Sequence, residues 1–139
     1  MNLIDHWEGY YEYGEGYTLP HFGKRVKVYV NFQGSNDSFV GTLKEENSEY
    51  SVPLEATIKG FSDADFISFV KKYPKYPRLK EFGKSEIIME DGELEIEHSG
   101  YIDTAYDSIY GTWAISEKIS NLDSDVFTVY GNWLLKRVK

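Results

Sequence analysis

Three aromatic residues and one histidine carry the side chains best suited to binding chemistry: Tyr11, Tyr13, His98 and Trp113. Aromatic rings supply a large apolar contact area, and a tyrosine hydroxyl can donate or accept a hydrogen bond. An imidazole can orient a ligand or carry a proton near neutral pH. We therefore predict that these four residues line a ligand-binding site for a small apolar or aromatic molecule. Burial and one or two hydrogen bonds would hold that molecule, without a covalent step.

His98 admits three further interpretations, which the sequence leaves open. It follows Leu94 and Ile96 on the apolar side of an alternating segment, so the ring is expected inside the protein. There it could be an axial haem ligand, the general base of an enzyme, or a core histidine hydrogen-bonded to a neighbouring tyrosine. The other two histidines, His6 and His21, are far from it in sequence, and no pair has metal-ligand spacing. We predict no metal site and no cofactor.

Catalytic constellations of other kinds are absent from the sequence, and we predict that the protein is not an enzyme. The chain has no cysteine and no Gly-x-Ser-x-Gly motif. Its carboxylates are expected on outward strand faces or in turns. Residues 121–125 alternate oxygen ligands as a calcium loop does, but Val126 and Asn132 stand where such a loop needs glycine and glutamate.

The composition restricts the class of protein and its partners. A chain of 139 residues is predicted to form one domain, residues 1–139. With 23 acidic against 15 basic residues the formal net charge is −8, so we predict that the protein binds no nucleic acid. The sequence contains no secretory signal and no apolar run of about 20 residues, so a cytoplasmic protein without a membrane segment is expected. The absence of cysteine agrees with a reducing compartment.

Alternation of apolar and polar residues identifies the elements that must position the candidate site. From Val26 to Phe32 every second residue is apolar, and similar alternation recurs from Leu54 to Gly60. This pattern is typical of antiparallel strands with one buried face. We predict strands at about residues 7–14, 24–33, 38–45, 53–61, 65–73, 85–90, 94–102, 109–117 and 125–137. In the first strand the predicted inward row is Trp7, Gly9, Tyr11 and Tyr13.

Turn signals lie between these strands. Asp91-Gly92 predicts a two-residue hairpin between the strands at 85–90 and 94–102. Residues 73–83 contain two prolines and are expected to be irregular. Strands joined by hairpins, with little or no helix, predict an all-β fold. The expected architecture is a single antiparallel up-and-down β-barrel of about eight or nine strands, whose interior is filled or holds one small ligand. The ligand is expected in one mouth of the barrel, at the open end near Tyr11, Tyr13 and His98.

Several short motifs with glycine and aromatic residues follow one another along nearly the whole chain. They are Trp7-Glu-Gly-Tyr-Tyr11, Phe39-Val-Gly-Thr-Leu43, Ile58-Lys-Gly-Phe61, Ile67-Ser-Phe-Val-Lys-Lys-Tyr73, Ile109-Tyr-Gly-Thr-Trp113 and Asp125-Val-Phe-Thr-Val129. By this order the chain resembles the calycin group of avidins, lipocalins and fatty-acid-binding proteins, and it is most similar to small uncharacterised bacterial members. The resemblance implies an avidin- or lipocalin-like barrel. It implies neither biotin nor a fatty acid, because the biotin-binding polar residues do not match and Arg137 begins no Arg-x-Tyr sequence.

An alternative function follows if aromatic side chains fill the barrel interior completely. Trp7 and Trp113 could plug the barrel, which would then act through its outer face as a protein interaction or oligomerisation module. The strands at 65–73 and 125–137 are apolar on both faces. Because a monomeric barrel needs only one apolar face, we predict a homo-oligomer that forms through these two strands.

Overall fold

The computed structural model describes residues 2–79, 86–118 and 126–138. The strands are β1 (His6–Tyr13), β2 (Arg25–Ser35), β3 (Ser38–Glu45), β4 (Ala56–Asp63), β5 (Phe66–Tyr73), β6 (Tyr76–Leu79), β7 (Ile87–Glu90), β8 (Leu94–Asp103), β9 (Ser108–Lys118) and β10 (Val126–Arg137). A short 3-10 helix, Thr104–Tyr106, connects β8 to β9. In the part of the chain so described, no helix is long and apolar enough to cross a membrane.

Eight of the strands close into an antiparallel barrel, in the order β1-β2-β3-β4-β5-β8-β9-β10. Strand β1 pairs with β2 on one side and with β10 on the other, so the sheet has no free edge. Strand neighbours in the barrel are consecutive along the chain except at β5 and β8, and at the closure between β10 and β1. The predicted all-β, up-and-down barrel is confirmed.

The predicted hairpin between the strands at 85–90 and 94–102 is wrong. Strands β6 and β7 pair with each other in a separate two-stranded sheet, and β8 pairs instead with β5. The turn at Asp91-Gly92 therefore does not join two paired strands, although Gly92 has a positive φ of 112°. The segment predicted to be irregular contains β6. Pro77 has no amide donor, but a strand that pairs with only one neighbour tolerates a proline.

Side chains alternate between the barrel interior and its surface, as the sequence predicts. In β1 the side chains of Trp7, Tyr11 and Tyr13 are buried, whereas Glu8 is exposed and Tyr10 is partly exposed. The same alternation in the other barrel strands gives one continuous core, to which all eight strands contribute apolar residues.

The end of the barrel around Trp7, here called the floor, is sealed by packing. Trp7 is buried, and the centroid of its ring lies 6.4 Å from that of Phe32. Residues 2–5 fold against this end, where the Leu3 carbonyl accepts a hydrogen bond of 2.9 Å from Trp7 Nε1. The Asp5 carbonyl accepts another, of 3.0 Å, from the Phe32 amide. These contacts support the alternative in which Trp7 plugs the barrel.

A glycine in β10 provides the space for Trp113. A Cβ atom built on Gly131 would lie 2.1 Å from Cε2 of the Trp113 indole. The indole Nε1 of Trp113 donates a hydrogen bond of 3.2 Å to the Asn132 carbonyl. The ring therefore lies across the backbone of β10, in a place that a side chain at position 131 would occupy.

We predict that Gly131→Ala lowers the free energy of unfolding by about 1–3 kcal/mol, because the added methyl group must displace the indole of Trp113. Urea unfolding followed by tryptophan fluorescence measures the change. Thr112→Ala, at an exposed position of β9, is the control and should change stability by less than about 0.5 kcal/mol. Equal stability of wild type and Gly131→Ala would contradict the placement of Trp113.

Candidate functional site

The candidate site lies inside the barrel, toward the end opposite the floor. We call it the upper interior and define it by Tyr11, Tyr13, Glu45, Lys71, Tyr73, His98 and Trp113. Three of the four predicted residues form one aromatic cluster: the ring centroids of Tyr11 and Tyr13 are 5.5 Å apart, and each lies 6.2 Å from that of Trp113. His98 is directly opposite Trp113 in the β8–β9 ladder, so both side chains point into the barrel. All four are buried.

The ring of His98 has its own neighbours. It stacks on Phe69, with centroids 4.6 Å apart, and lies 6.0 Å from Trp133. Its Nδ1 is 3.1 Å from the carbonyl oxygen of Ile96. A carbonyl can only accept, so Nδ1 carries the proton and Nε2 presents a lone pair. Burial, and to a lesser extent the positive charge of Lys71, hold the pKa of His98 well below its usual value, so the ring is neutral at pH 7.

Glu45 is a site residue that the sequence analysis missed. The expectation that carboxylates lie outside or in turns is wrong here, because Glu45 continues the inward row of Phe39, Gly41 and Leu43 on β3. Three donors converge on its carboxylate. Oε1 accepts hydrogen bonds from the Tyr11 hydroxyl at 2.5 Å and from the Val52 amide at 2.7 Å. Oε2 accepts from the Tyr73 hydroxyl.

Lys71 is the second residue that was missed. It is 2% exposed, an unusual degree of burial for a lysine. Its Nζ lies over two phenol faces, 4.4 Å from the ring centroid of Tyr11 and 4.8 Å from that of Tyr73. Burial lowers the pKa of Lys71 to about 8, and the negative charge of Glu45 opposes that shift. At pH 7 most molecules therefore carry an ammonium group inside the barrel.

Three tyrosine hydroxyls remain protonated around these charges. Burial, the dominant cause, and the charge of Glu45 raise the pKa of Tyr11 and of Tyr73 well above the usual value. Burial also raises the pKa of Tyr13, whose hydroxyl donates to the Tyr50 carbonyl at 2.7 Å. The hydroxyls of Tyr11 and Tyr73 are thus fixed as donors to Glu45, and they compensate for the burial of its charge.

Two loops, residues 14–24 and 46–55, cover the Tyr13 end of the barrel. From the first loop the rings of Tyr17 and His21 pack against Tyr13, with centroids 4.8 Å and 5.0 Å away. His21 in turn contacts Tyr50 of the second loop, at 5.2 Å. His21 Nε2 is buried and has no hydrogen-bond partner among the described residues. The end that the sequence analysis takes as open is therefore covered by aromatic side chains.

The alternation of inward and outward residues along a strand could have identified Lys71 and Glu45. On β5 the residues Ile67, Phe69 and Tyr73 are expected inside, and position 71 belongs to the same row. On β3 the row of Phe39 and Leu43 likewise continues to position 45. Carboxylates are expected at the surface or in turns because of their charge, whereas period two places position 45 on the inward side of β3.

A cleft of about 550 Å³ lies outside the candidate site, on the turns near the floor. Its lining includes Asn36, Asp65, Asp103, Thr104 and Tyr110. None of the four predicted site residues contributes to it. Within the described ranges, no group of three or more histidine, cysteine, aspartate or glutamate side chains is arranged to hold a metal ion.

Comparisons of the chain with protein-family models, with curated proteins and with solved structures gave no significant match.

The buried lysine predicts a particular dependence of stability on pH. The pKa of Lys71 is about 8 in the folded protein and 10.5 in its unperturbed state, so from pH 8 upward the unfolded chain binds more protons. We expect Lys71 alone to raise the free energy of unfolding by about 2 kcal/mol between pH 8 and 10. Ionisation of Tyr11, Tyr13 and Tyr73 in the unfolded chain offsets part of this rise, so the contribution of Lys71 is read as the difference between wild type and Lys71→Met. Chemical denaturation at each pH measures this change.

In Lys71→Met the rise between pH 8 and 10 should be absent, because the variant has no buried amine to neutralise. Lys72→Met is the matched control, since Lys72 is the next residue but pairs with Glu93 at the surface. If wild type and Lys71→Met show the same pH profile, the buried ammonium is not present.

Proposed function

We propose that the protein is a cytoplasmic, calycin-like barrel that binds a small apolar or aromatic molecule non-covalently in its upper interior and catalyses no reaction. Tyr11, Tyr13, His98 and Trp113 would line the site, as the sequence predicts, together with Lys71. A cytoplasmic setting agrees with the absence of cysteine from the sequence.

The proposal rests on two polar atoms in the aromatic interior that have no hydrogen-bond partner among the described residues. Among the described residues, Lys71 Nζ takes part in no hydrogen bond or ion pair, and its contacts are ring faces. His98 Nε2 also has no hydrogen-bond partner there, because the bond of this ring is made by Nδ1. Among the described residues, His21 Nε2 is the one fully buried side-chain atom without a partner, so Lys71 Nζ and His98 Nε2 keep some accessible surface. Two accessible polar atoms without a protein partner, surrounded by aromatic rings, favour a ligand.

The covered end is the better route of entry for that ligand. At the floor, Trp7 and residues 2–5 are joined by hydrogen bonds and packing. At the Tyr13 end, access is restricted by side chains of two loops, and Tyr17 and Tyr50 are only partly buried. Loops open at a much lower free energy than core strands do. Binding would therefore require movement of residues 14–24 or 46–55.

We expect the neutral fluorophore N-phenylnaphthylamine to bind saturably, with increased emission as it leaves water. Trp113→Leu should weaken its binding by about fivefold or more, because an aromatic contact is worth about 1 kcal/mol. Tyr130→Leu, an exposed position on the outer face of β10, should leave the dissociation constant unchanged. Fluorescence titration measures all three proteins.

Two outcomes would contradict the proposed site. The absence of saturable binding to the wild type would reject an apolar pocket. Equal weakening by Trp113→Leu and Tyr130→Leu would place the fluorophore on the surface. Circular dichroism of each variant establishes that the barrel is intact.

An oligomerisation role is favoured by a separate observation on the outer face. Four exposed aromatic side chains, here called the aromatic row, cross strands β4, β5, β8 and β9: Phe61, Phe66, Tyr101 and Tyr110. Successive ring centroids are 6.4, 6.5 and 6.4 Å apart. Tyr110 is opposite Leu134 of β10, so the row extends between the two strands that the sequence predicts at an interface. We propose a homodimer through this face.

Light scattering at micromolar concentration should give the mass of a dimer or a larger assembly. Tyr101→Lys should shift the mass to that of a monomer, because it places a charge in the centre of the aromatic row. Tyr29→Lys introduces the same charge on β2, at an exposed position outside the row and outside both predicted interface strands, and should leave the assembly intact. A monomeric wild type would reject this proposal and would not affect the proposal of an interior ligand.

A further inference from the structure

The upper interior specifies the chemical class of its ligand. We infer that this ligand is a neutral, planar aromatic molecule with a carbonyl-type acceptor and an N–H or O–H donor along one edge. Lys71 Nζ would donate to the acceptor, and His98 Nε2 would accept from the donor. This inference rests on the proposed function, since it assumes that the upper interior holds a small molecule.

Lys71 provides the donor side of this recognition. An ammonium group has three N–H donors and accepts nothing. The side chain is almost fully buried, and the described residues supply two phenol ring faces but no oxygen within hydrogen-bond distance of Nζ. Cation–π contact satisfies part of the charge, whereas the N–H bonds still need an acceptor. A ligand oxygen would supply it.

His98 provides the acceptor side. Its Nδ1 proton is committed to the Ile96 carbonyl at 3.1 Å, which leaves a lone pair on Nε2. The stacked contact with Phe69 fixes the plane of the ring. Nε2 is not among the fully buried atoms without a partner, so it can be reached by an N–H or O–H group. A purely apolar ligand that covered it would leave the lone pair unsatisfied.

The strand register puts the two groups within reach of one molecule. In the β5–β8 ladder Lys71 is opposite Ile96, and His98 is two residues further along the same inward row. Such diagonal neighbours are about 7–8 Å apart at the backbone. The positive charge of Lys71 contributes to the lowered pKa of His98, which places them in the same electrostatic environment. A ligand with an acceptor and a donor on one edge of its ring system could hydrogen-bond to both Lys71 and His98.

The charge already present inside the barrel argues for a neutral ligand. The ammonium of Lys71 is balanced by the carboxylate of Glu45, whose charge raises the pKa of the lysine. Tyr11, Tyr73 and the Val52 amide already donate to that carboxylate. An anionic ligand would leave an unbalanced negative charge in a low-dielectric interior, which is strongly unfavourable. A neutral carbonyl oxygen satisfies Lys71 without that penalty.

The remaining walls suit a flat molecule. The ring of Trp113 spans the backbone of β10 above Gly131, and Trp133 and Phe69 continue the aromatic surface toward the floor. Flat rings pack edge to face or offset against such walls. Ligands that combine this shape with an adjacent acceptor and donor include cyclic amides fused to an aromatic ring.

Four probes of similar size test this inference by calorimetric titration: isoquinolone, N-methylisoquinolone, naphthalene and naphthoate. Isoquinolone has the carbonyl and the adjacent N–H, and its N-methyl derivative lacks the donor. Naphthalene lacks both groups, and naphthoate is an anion. We expect wild type to bind isoquinolone roughly tenfold more tightly than naphthalene, as two net hydrogen bonds of about 0.7 kcal/mol each would give. Naphthoate should bind most weakly.

Variants assign the preference to the two residues. Lys71→Met and His98→Phe should each reduce the preference for isoquinolone over naphthalene at least threefold, while affinity for naphthalene itself is retained. Lys72→Met, with its side chain outside the barrel, should behave as wild type. Retained naphthalene binding shows that a variant still folds and still has its pocket.

The outcomes separate this inference from the proposed function. Equal affinity for isoquinolone and naphthalene, or tightest binding of naphthoate, would overturn the inferred ligand class and leave an apolar binding site in place. A preference for isoquinolone that persists in both variants would overturn the assigned roles of Lys71 and His98. Failure of the wild type to bind any of the four probes would overturn the proposed function itself.

Discussion

The carboxylate of Glu45 is the constraint around which the upper interior is organised. It is the last inward position of β3, and it receives hydrogen bonds from Tyr11 on β1, from Tyr73 on β5 and from the Val52 amide in the loop before β4. Glu45 is partly buried, and a carboxylate that is withdrawn from water in this way is stabilised by such donors. Each donor is in turn fixed in place, so one charge determines the position of two tyrosine rings and one loop.

Those two rings then determine the surroundings of Lys71. The ammonium group of Lys71 lies over the faces of both rings, while the two hydroxyls donate to Glu45. The interior therefore contains a balanced pair of charges that are separated by aromatic rings. Such an arrangement stabilises the fold less than an apolar filling of equal volume would.

Much of the fold can be predicted from the sequence, because period-two alternation is a local property. The inward row of β1 and the closed barrel follow from it directly. The pairing of β5 with β8 could not be predicted from local patterns, since Asp91-Gly92 is a strong hairpin signal between two strands that do not pair. Pairing depends on which strands can complete the barrel, and that is decided by the whole chain.

The candidate site was predicted less completely, and the reason is chemical. Tyr11, Tyr13 and Trp113 are aromatic residues in inward rows, so both pattern and chemistry place them inside. Glu45 and Lys71 occupy inward rows as well, but charged residues are rarely buried and chemistry was allowed to override the pattern. The tyrosine hydroxyls that donate to Glu45 and the ring faces that contact Lys71 come from strands distant in sequence. Only the assembled barrel brings these groups together.

The pairing of β1 with β10 has a consequence for the order of events during synthesis. These strands come from opposite parts of the sequence, and Arg137 on β10 forms an ion pair of 3.0 Å with Asp5 beside β1. Until β10 has been made, β1 and β9 each present a row of unpaired amides and carbonyls. Exposed edges of this kind can add strands from other chains. The interval between synthesis of β9 and docking of β10 is thus when the nascent protein is most open to aggregation, and completion of a single strand ends it.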